Sequence, residues 1–403
     1  MKKYLKNIFI FIVIVVFILA FSHSYSSLNI DNLAYVVALG IDSTDDNNLQ
    51  VTFQFSTPVS IESGEKPNPI NNTIISPSIS NAINIMNSYL GTPISFSHCK
   101  VIIFSEQLAK QGISDEIYTL INDTQVTPSS NIVISKCDAK NYIEQTTPEL
   151  ENLVSKYYES FENSSKNTGY IPDATIGDFF NDLTSRTREP YAILGGLNAE
   201  SRNEENSTTT SQNSLKANTT SISGKNGSEN FGVAVFREDK LVGELNAFES
   251  VAFLNIRNNI DRFLISIQDP ENENNLLDIY MTPSNNATIK VNTSNQTPYI
   301  KINCKYTGRI YSMTQNSKYL SPEVLDSISK SCDSYLESLF TNYLYKTSKE
   351  FNSDINSVGD YALKNFFTTK EFEDYSWLEN YKNAFFKVNV DSSVKSGMLI
   401  TET

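Results

Sequence analysis

Histidine occurs twice in 403 residues, as His23 and His98, and tryptophan once. With a single histidine beyond the first 27 residues, a multi-histidine metal site and a pair of histidine bases are excluded. His98 stands beside Cys99, but neighbours along a strand point to opposite faces, so the two cannot form a nucleophile and base. No G-x-x-x-x-G-K-[ST], G-x-G-x-x-G or G-x-S-x-G occurs, and Gly195-Gly196 lacks the rest of a phosphate cradle. Carboxylates are plentiful and unpatterned: Asp42, Asp45 and Asp46 lack the glycine and closing glutamate of a calcium loop. No catalytic, cofactor or metal residue is therefore assigned, and the expectation is a non-enzymatic binding or assembly protein without cofactors.

Basic residues are also scarce, 32 Lys and Arg against 46 Asp and Glu, a formal net charge of −14. Three of the lysines, Lys2, Lys3 and Lys6, precede the uninterrupted apolar run Ile8 to Phe21, which leaves 29 basic residues and a charge of −17 for the rest. Nucleic acid and anionic headgroups are thus poor partners for the bulk surface. Residues 1–27 read as an exported chain's leader, either a cleaved signal peptide or a retained membrane anchor from Ile8 to Phe21. Fourteen residues at 1.5 Å each span ~21 Å, short of a ~30 Å hydrocarbon core. The four cysteines, Cys99, Cys137, Cys304 and Cys332, are dispersed with no C-x-x-C pair, which suits buried free thiols; Cys99–Cys137 is the one pairing to test.

What the chain has is alternation of strand and helix patterns. Leu33–Gly40 is a continuous apolar run, as in a strand buried on both faces, and 49–55 (LQVTFQF) alternates strictly. Helical spacing follows over 79–90, after Pro148 through Phe161, and over 176–183. Residues 198–230 are Ser, Thr, Asn, Lys and Gly with few apolar residues, and read as a flexible polar linker between 28–197 and 231–403. Beyond it, strands are expected near 263–267, 276–281, 287–291 and 299–310. A long helix over 321–351 opens at Ser321-Pro322-Glu323, and the final strand alternates Phe386, Val388, Val390 and Val394. The fold class is α+β (mixed α/β), multi-domain, each domain a mixed or antiparallel sheet packed with helices. The aromatic cluster around Trp377 and Tyr381 makes these two the candidate interaction residues, with core packing as the alternative.

The most informative stretch is 231–260. Two apolar runs flank Arg237-Glu238-Asp239-Lys240 as a hairpin, and a helix follows from Phe248 with Glu249 at its start. The run GVAVFREDKLVGELNAFES, Gly232 to Ser250, resembles the hairpin-and-helix signature of the Ger(x)C family, the C subunits of spore germinant receptors. LAYVVALGID (33–42), SHCKVIIFSEQLAKQG (97–112) and residues 353–394 resemble further family segments in the same order.

The resemblance implies an extracytoplasmic subunit on the outer face of the spore inner membrane, working with germinant receptor A and B membrane subunits. It also implies a lipid-modified cysteine, but Leu19-Ala20-Phe21-Ser22 carries Ser22 at that place, and a hydroxyl cannot form the thioether. Membrane attachment through a retained anchor is what the implied role favours. The alternative expectation is an extracytoplasmic solute- or germinant-binding protein; a wall hydrolase lacks the paired acids it would need.

Overall fold

The computed structural model describes residues 2–22, 33–56, 69–122, 126–202, 215–270, 272–313 and 321–395. Helix α1 (Lys2–Ser22) comes first. Then follow β1 (Ala34–Ser43), β2 (Leu49–Phe55), β3 (Ile70–Ser76), α2 (Ile79–Leu90), β4 (Ile94–Ser95), β5 (Val101–Ser105), α3 (Glu106–Gln111), α4 (Ser114–Asn122), β6 (Asn131–Ser135), α5 (Ala139–Gln145), α6 (Val154–Glu159), α7 (Phe161–Thr168), α8 (Ile176–Leu183) and β7 (Tyr191–Leu197). The remainder comprises β8 (Ser228–Arg237), β9 (Lys240–Leu245), α9 (Ala247–Ile256), β10 (Phe263–Asp269), β11 (Asn272–Pro283), β12 (Thr288–Asn292), β13 (Tyr299–Met313), α10 (Pro322–Tyr345), α11 (Val358–Leu363), α12 (Thr369–Tyr375), α13 (Trp377–Asn380) and β14 (Phe385–Lys395).

Two sheets result. The first has nine strands in the order β3-β2-β1-β5-β6-β7-β8-β9, with β4 beside β1. Its centre, β1-β5-β6-β7, is parallel, and the two ends are antiparallel. Helices cover both faces, so Val101–Ser105 is buried at every residue, which explains a continuous apolar run in place of alternation. The second sheet runs β10-β11-β13-β12, with β14 parallel to β13 on its other side. There β14 alternates buried and exposed along its length, because only one face meets the core under α10.

The caps follow local chemistry. Ser78 accepts from Asn81 N–H to open α2, and Gly91 (φ 64°) closes it. Ser321 accepts from Val324 N–H ahead of Pro322, and α10 ends in a single π turn, Lys346–Glu350, within the expected 321–351. Helix α5 draws its cap from far away. The Asp42 carboxylate accepts from Ala139 N–H at 2.6 Å and Lys140 N–H at 3.1 Å, so the acid that superficially suggested a calcium loop ties β1 to α5.

Three expectations are corrected here. Residues 198–230 are not a free linker: outside 203–214, which lie beyond the described residues, the segment is packed. Asn198 N–H donates to Gly227 O at 2.8 Å and Ala199 N–H to Ile222 O at 3.0 Å. Buried Glu229 accepts from Asn218 N–H at 2.7 Å and from the Thr220 hydroxyl, while the Arg202 guanidinium binds Thr220 O at 2.9 Å. Polar composition removed the apolar signal, and hydrogen bonds supply the order instead. Nor does the hairpin open a separate domain, since β8 pairs antiparallel with β7 and completes the first sheet. The helix expected from Pro148 begins only at Val154 and breaks into α6 and α7 at Ser160.

The outer edge of β14 is closed by side chains of α10. Val390, Ser392 and Val394 N–H groups donate to Glu337 at 2.9 Å, Asp333 at 2.9 Å and Ser329 at 3.0 Å. Four helical residues rise ~6.0 Å and two strand residues ~6.6 Å, so the two spacings match closely enough for an i, i+4 ladder to cap alternate strand amides.

Candidate functional site

The hairpin β8–β9 and α9 sit where the two sheets meet. Asn246 caps α9 by accepting from Phe248 and Glu249 N–H, and the Glu249 carboxylate returns the bond to Asn246 N–H, a complete capping box. Glu249 also receives Lys346 Nζ at 2.9 Å, which fastens the π turn of α10 to the hairpin. Gly232 is required at its place: its φ is +100°, its N–H donates to Tyr170 O at 2.7 Å, and a Cβ would lie 2.0 Å from Leu245 O.

Beneath the hairpin lies a buried carboxylate joint. Asp354 is fully buried and accepts from Val358 N–H (3.1 Å), Gly359 N–H (2.8 Å) and Trp377 Nε1 (2.9 Å); burial pushes its carboxyl up to about 6 despite these donors. Glu189 accepts from Glu238 N–H at 2.6 Å, and burial pushes it up to about 7. Ser353 Oγ donates to Phe236 O at 2.5 Å. Arg188 pairs with Asp182 at 2.6 Å and Asp360 at 2.9 Å, and the Arg257 guanidinium donates to Ile355 O at 2.7 Å. These bonds connect the first sheet to the segment 353–360, which leads into and begins α11.

Trp377 and Tyr381 belong to this joint from within. They are 1% and 0% exposed, with ring centroids 5.8 Å apart, and Tyr381 packs on Phe386. The expectation that they form an interaction surface is therefore corrected. Charged neighbours in the sequence suit an interface and a core margin alike, and the indole N–H is satisfied by a buried aspartate. In α1, Ile8 is 58% exposed and the apolar side chains around it are exposed as well, among them Phe9, Phe11 and Phe17; the Phe21 side chain lies outside the described residues. No described helix is long and apolar enough to cross a membrane.

All four cysteines are free thiols, and burial raises Cys99 to about 12 and Cys137 to about 11. His98 is exposed with its ring edge-on to Tyr35, whereas Cys99 is buried. Among the described residues no group of three or more His, Cys, Asp or Glu could hold a metal ion. Three concavities exceed 300 Å³ among those of the described residues, one of them, about 330 Å³, beside the joint between Arg188, Arg257, Asp360 and Lys364. A polar one of about 740 Å³ lies at the carboxyl end of β1, with Asp45, Asp115, Glu116 and Asp239 on its walls. A smaller one of about 410 Å³ has Tyr157, Phe161, Tyr170 and Phe231 as walls and Asn226 and Asn230 among its polar groups. Neither of the larger two was legible in the sequence, because each assembles loops remote in the chain.

Residues 26–195 match the model of the spore germination protein N-terminal domain, and residues 231–397 match that of the spore germination B3/GerAC-like C-terminal domain. The chain belongs to the Ger(x)C family. This Ger(x)C chain is 22% identical over 364 residues to spore germination protein KC of Bacillus subtilis (strain 168), covering 87% of the chain and 86% of that protein. Spore germination protein GerQC of Bacillus cereus is 19% identical over 75% of each chain. The crystal structure of the GerBC protein aligns with 88% of this chain and 96% of its own, at 17% identity and a TM-score of 0.48. Membership gives the Ger(x)C chain its general role, that of a component of spore germinant receptors. The second family segment starts at residue 231, inside β8, so the family's C-terminal part supplies the last two strands of the first sheet.

Proposed function

We propose that this Ger(x)C chain is the non-enzymatic C subunit of a spore germinant receptor. It is held at the outer face of the spore inner membrane by its N-terminal segment and couples nutrient sensing to germination through contacts with the A and B membrane subunits. The observation that carries the membrane part is α1, a helix that starts with lysines and leaves Ile8, Phe9, Phe11 and Phe17 at the surface. A coupling role, as opposed to chemistry, is supported by the joint: Glu189 and Asp354 are buried and committed to backbone and indole donors. Crosslinking and mass spectrometry on spore membranes tests this. Recovery of A- and B-type subunits together with peptides covering Ile8 to Phe21 is the expected result; a soluble chain starting after Ser22 and free of those partners would overturn it.

The cleft of about 410 Å³ favours a second reading, capture of a small apolar or aromatic ligand, because aromatic walls with a few amides are the usual makeup of such sites. A ligand bound only by the folded state raises the apparent melting temperature with its concentration. A germinant panel that leaves the melting temperature unchanged removes this reading.

A further inference from the structure

The exposed face of the second sheet carries a feature that the acidic balance of the chain does not prepare for. Lys290 on β12 is the register partner of Lys301 on β13, and Lys301 is the partner of Lys387 on β14. Three ammonium side chains therefore stand in one row on one face. Among the described residues no carboxylate pairs with any of them; the neighbouring Lys305 is already matched with Asp391 at 3.0 Å. Like charges directly opposite each other cost stability, so the row needs a compensating partner.

The next row on the same face is aromatic. Tyr299 pairs in register with Phe385, they are 45% and 57% exposed, and Lys349 Nζ lies 5.8 Å from the Phe385 ring centre. Beside β12, Asn365 donates to Val291 O at 2.9 Å, and Phe367, two residues further on, is 99% exposed. Lysines are point charges on flexible stems without the planar fork that selects a single phosphate or carboxylate. Laid flat across three strands they face an array of anions, and exposed aromatics beside lysines are the composition of protein surfaces at the membrane–water boundary.

We propose that this face of the second sheet rests on an anionic phospholipid surface, Lys290, Lys301 and Lys387 meeting headgroup phosphates and Tyr299 and Phe385 entering the interface. The chain's net charge of −14 does not forbid it, since a Debye length of ~8 Å screens charges on the far side of the molecule. The contact is separate from α1 and does not depend on it.

The test uses the full chain with phosphatidylcholine vesicles that contain or lack phosphatidylglycerol. The parent chain prefers the anionic vesicles, and the K290Q/K301Q/K387Q variant loses that preference by about fivefold per lysine, on the order of 100-fold in all. K240Q, at an exposed lysine of the hairpin, leaves it unchanged. Independently, acetylation of the parent chain shows Lys290, Lys301 and Lys387 protected on anionic vesicles and reactive on neutral ones. A triple variant that keeps the preference overturns the proposal. So does protection that appears only when the membrane subunits are present, which would assign the face to an acidic protein. The contribution of α1 is common to parent and variant: failure of both to bind neutral vesicles speaks against the anchor and leaves the anionic difference to decide this face.

Discussion

The nine-stranded sheet buries both faces under helices, whereas the five-stranded sheet buries one and presents the other to water. Strand β5 has no exposed residue, so nothing on it can be reached by a partner; on β14 every second residue is exposed except Asn389, which is half-buried. The first sheet is therefore a frame, and contacts with other molecules fall to its loops and to the second sheet. Edges follow the same division. The second sheet could lengthen by adding a strand to β14, but Ser329, Asp333 and Glu337 occupy its amides, so that edge is closed.

The contrast breaks most completely at the joint. Trp377→Ala empties the site between the sheets and strips a donor from buried Asp354; about 3–5 kcal/mol is expected to be lost, read by chemical denaturation with circular dichroism. Gly232→Ala attacks the first sheet alone. With Leu245 O in the way of its Cβ, β8 cannot keep its place beside the end of β9, and a loss of about 3 kcal/mol is expected, with hydrogen exchange rising in β8 and β9 before β13.

Glu189→Gln separates the sheets by pH. The parent carboxyl sits at about 7 in the folded chain against a reference of 4.5, so the folded state holds more protons across that window and stability falls as pH rises through it. The variant removes this dependence and exceeds the parent by about 3 kcal/mol above pH 7, measured as the difference between two urea titrations. Equal slopes for both chains would refute the assignment. Asp333→Ala with Glu337→Ala uncovers the β14 edge: about 1 kcal/mol per lost bond, and self-association seen by sedimentation where the parent shows none. Smallest is Lys301→Gln, which relieves the lysine row and should stabilise the chain by about 0.5 kcal/mol.

Strand β1 and the alternation of β14 were readable because each face has one environment along its whole length, and period then reports burial. The hairpin and α9 were readable from Asn246, Glu249 and the polar turn, all local chemistry. What escaped depends on partners distant in sequence. Strand β3, with Ile70 and Ile75 exposed at a sheet edge, lies in a stretch whose prolines and asparagines read as loop. Glu229 and Arg202 order a segment that composition alone marks as unstructured. Trp377 stayed open between an interface and the core because Asp354, which satisfies its indole, is 23 positions away. The lysine row is invisible in sequence for the same reason, since only register brings 290, 301 and 387 together.

That the first sheet is finished by β8 and β9 also sets an order of events during synthesis. When Leu197 leaves the ribosome, β7 is the last strand available and its outer edge is bare. The roughly forty residues needed to reach the end of β8 take a few seconds at about 5–20 residues per second. Throughout that interval an apolar strand, Tyr191–Leu197, is open to the same strand of a neighbouring nascent chain. A gene fragment cut where the two family segments divide would make that interval permanent, and its product should collect as aggregate instead of as a folded half.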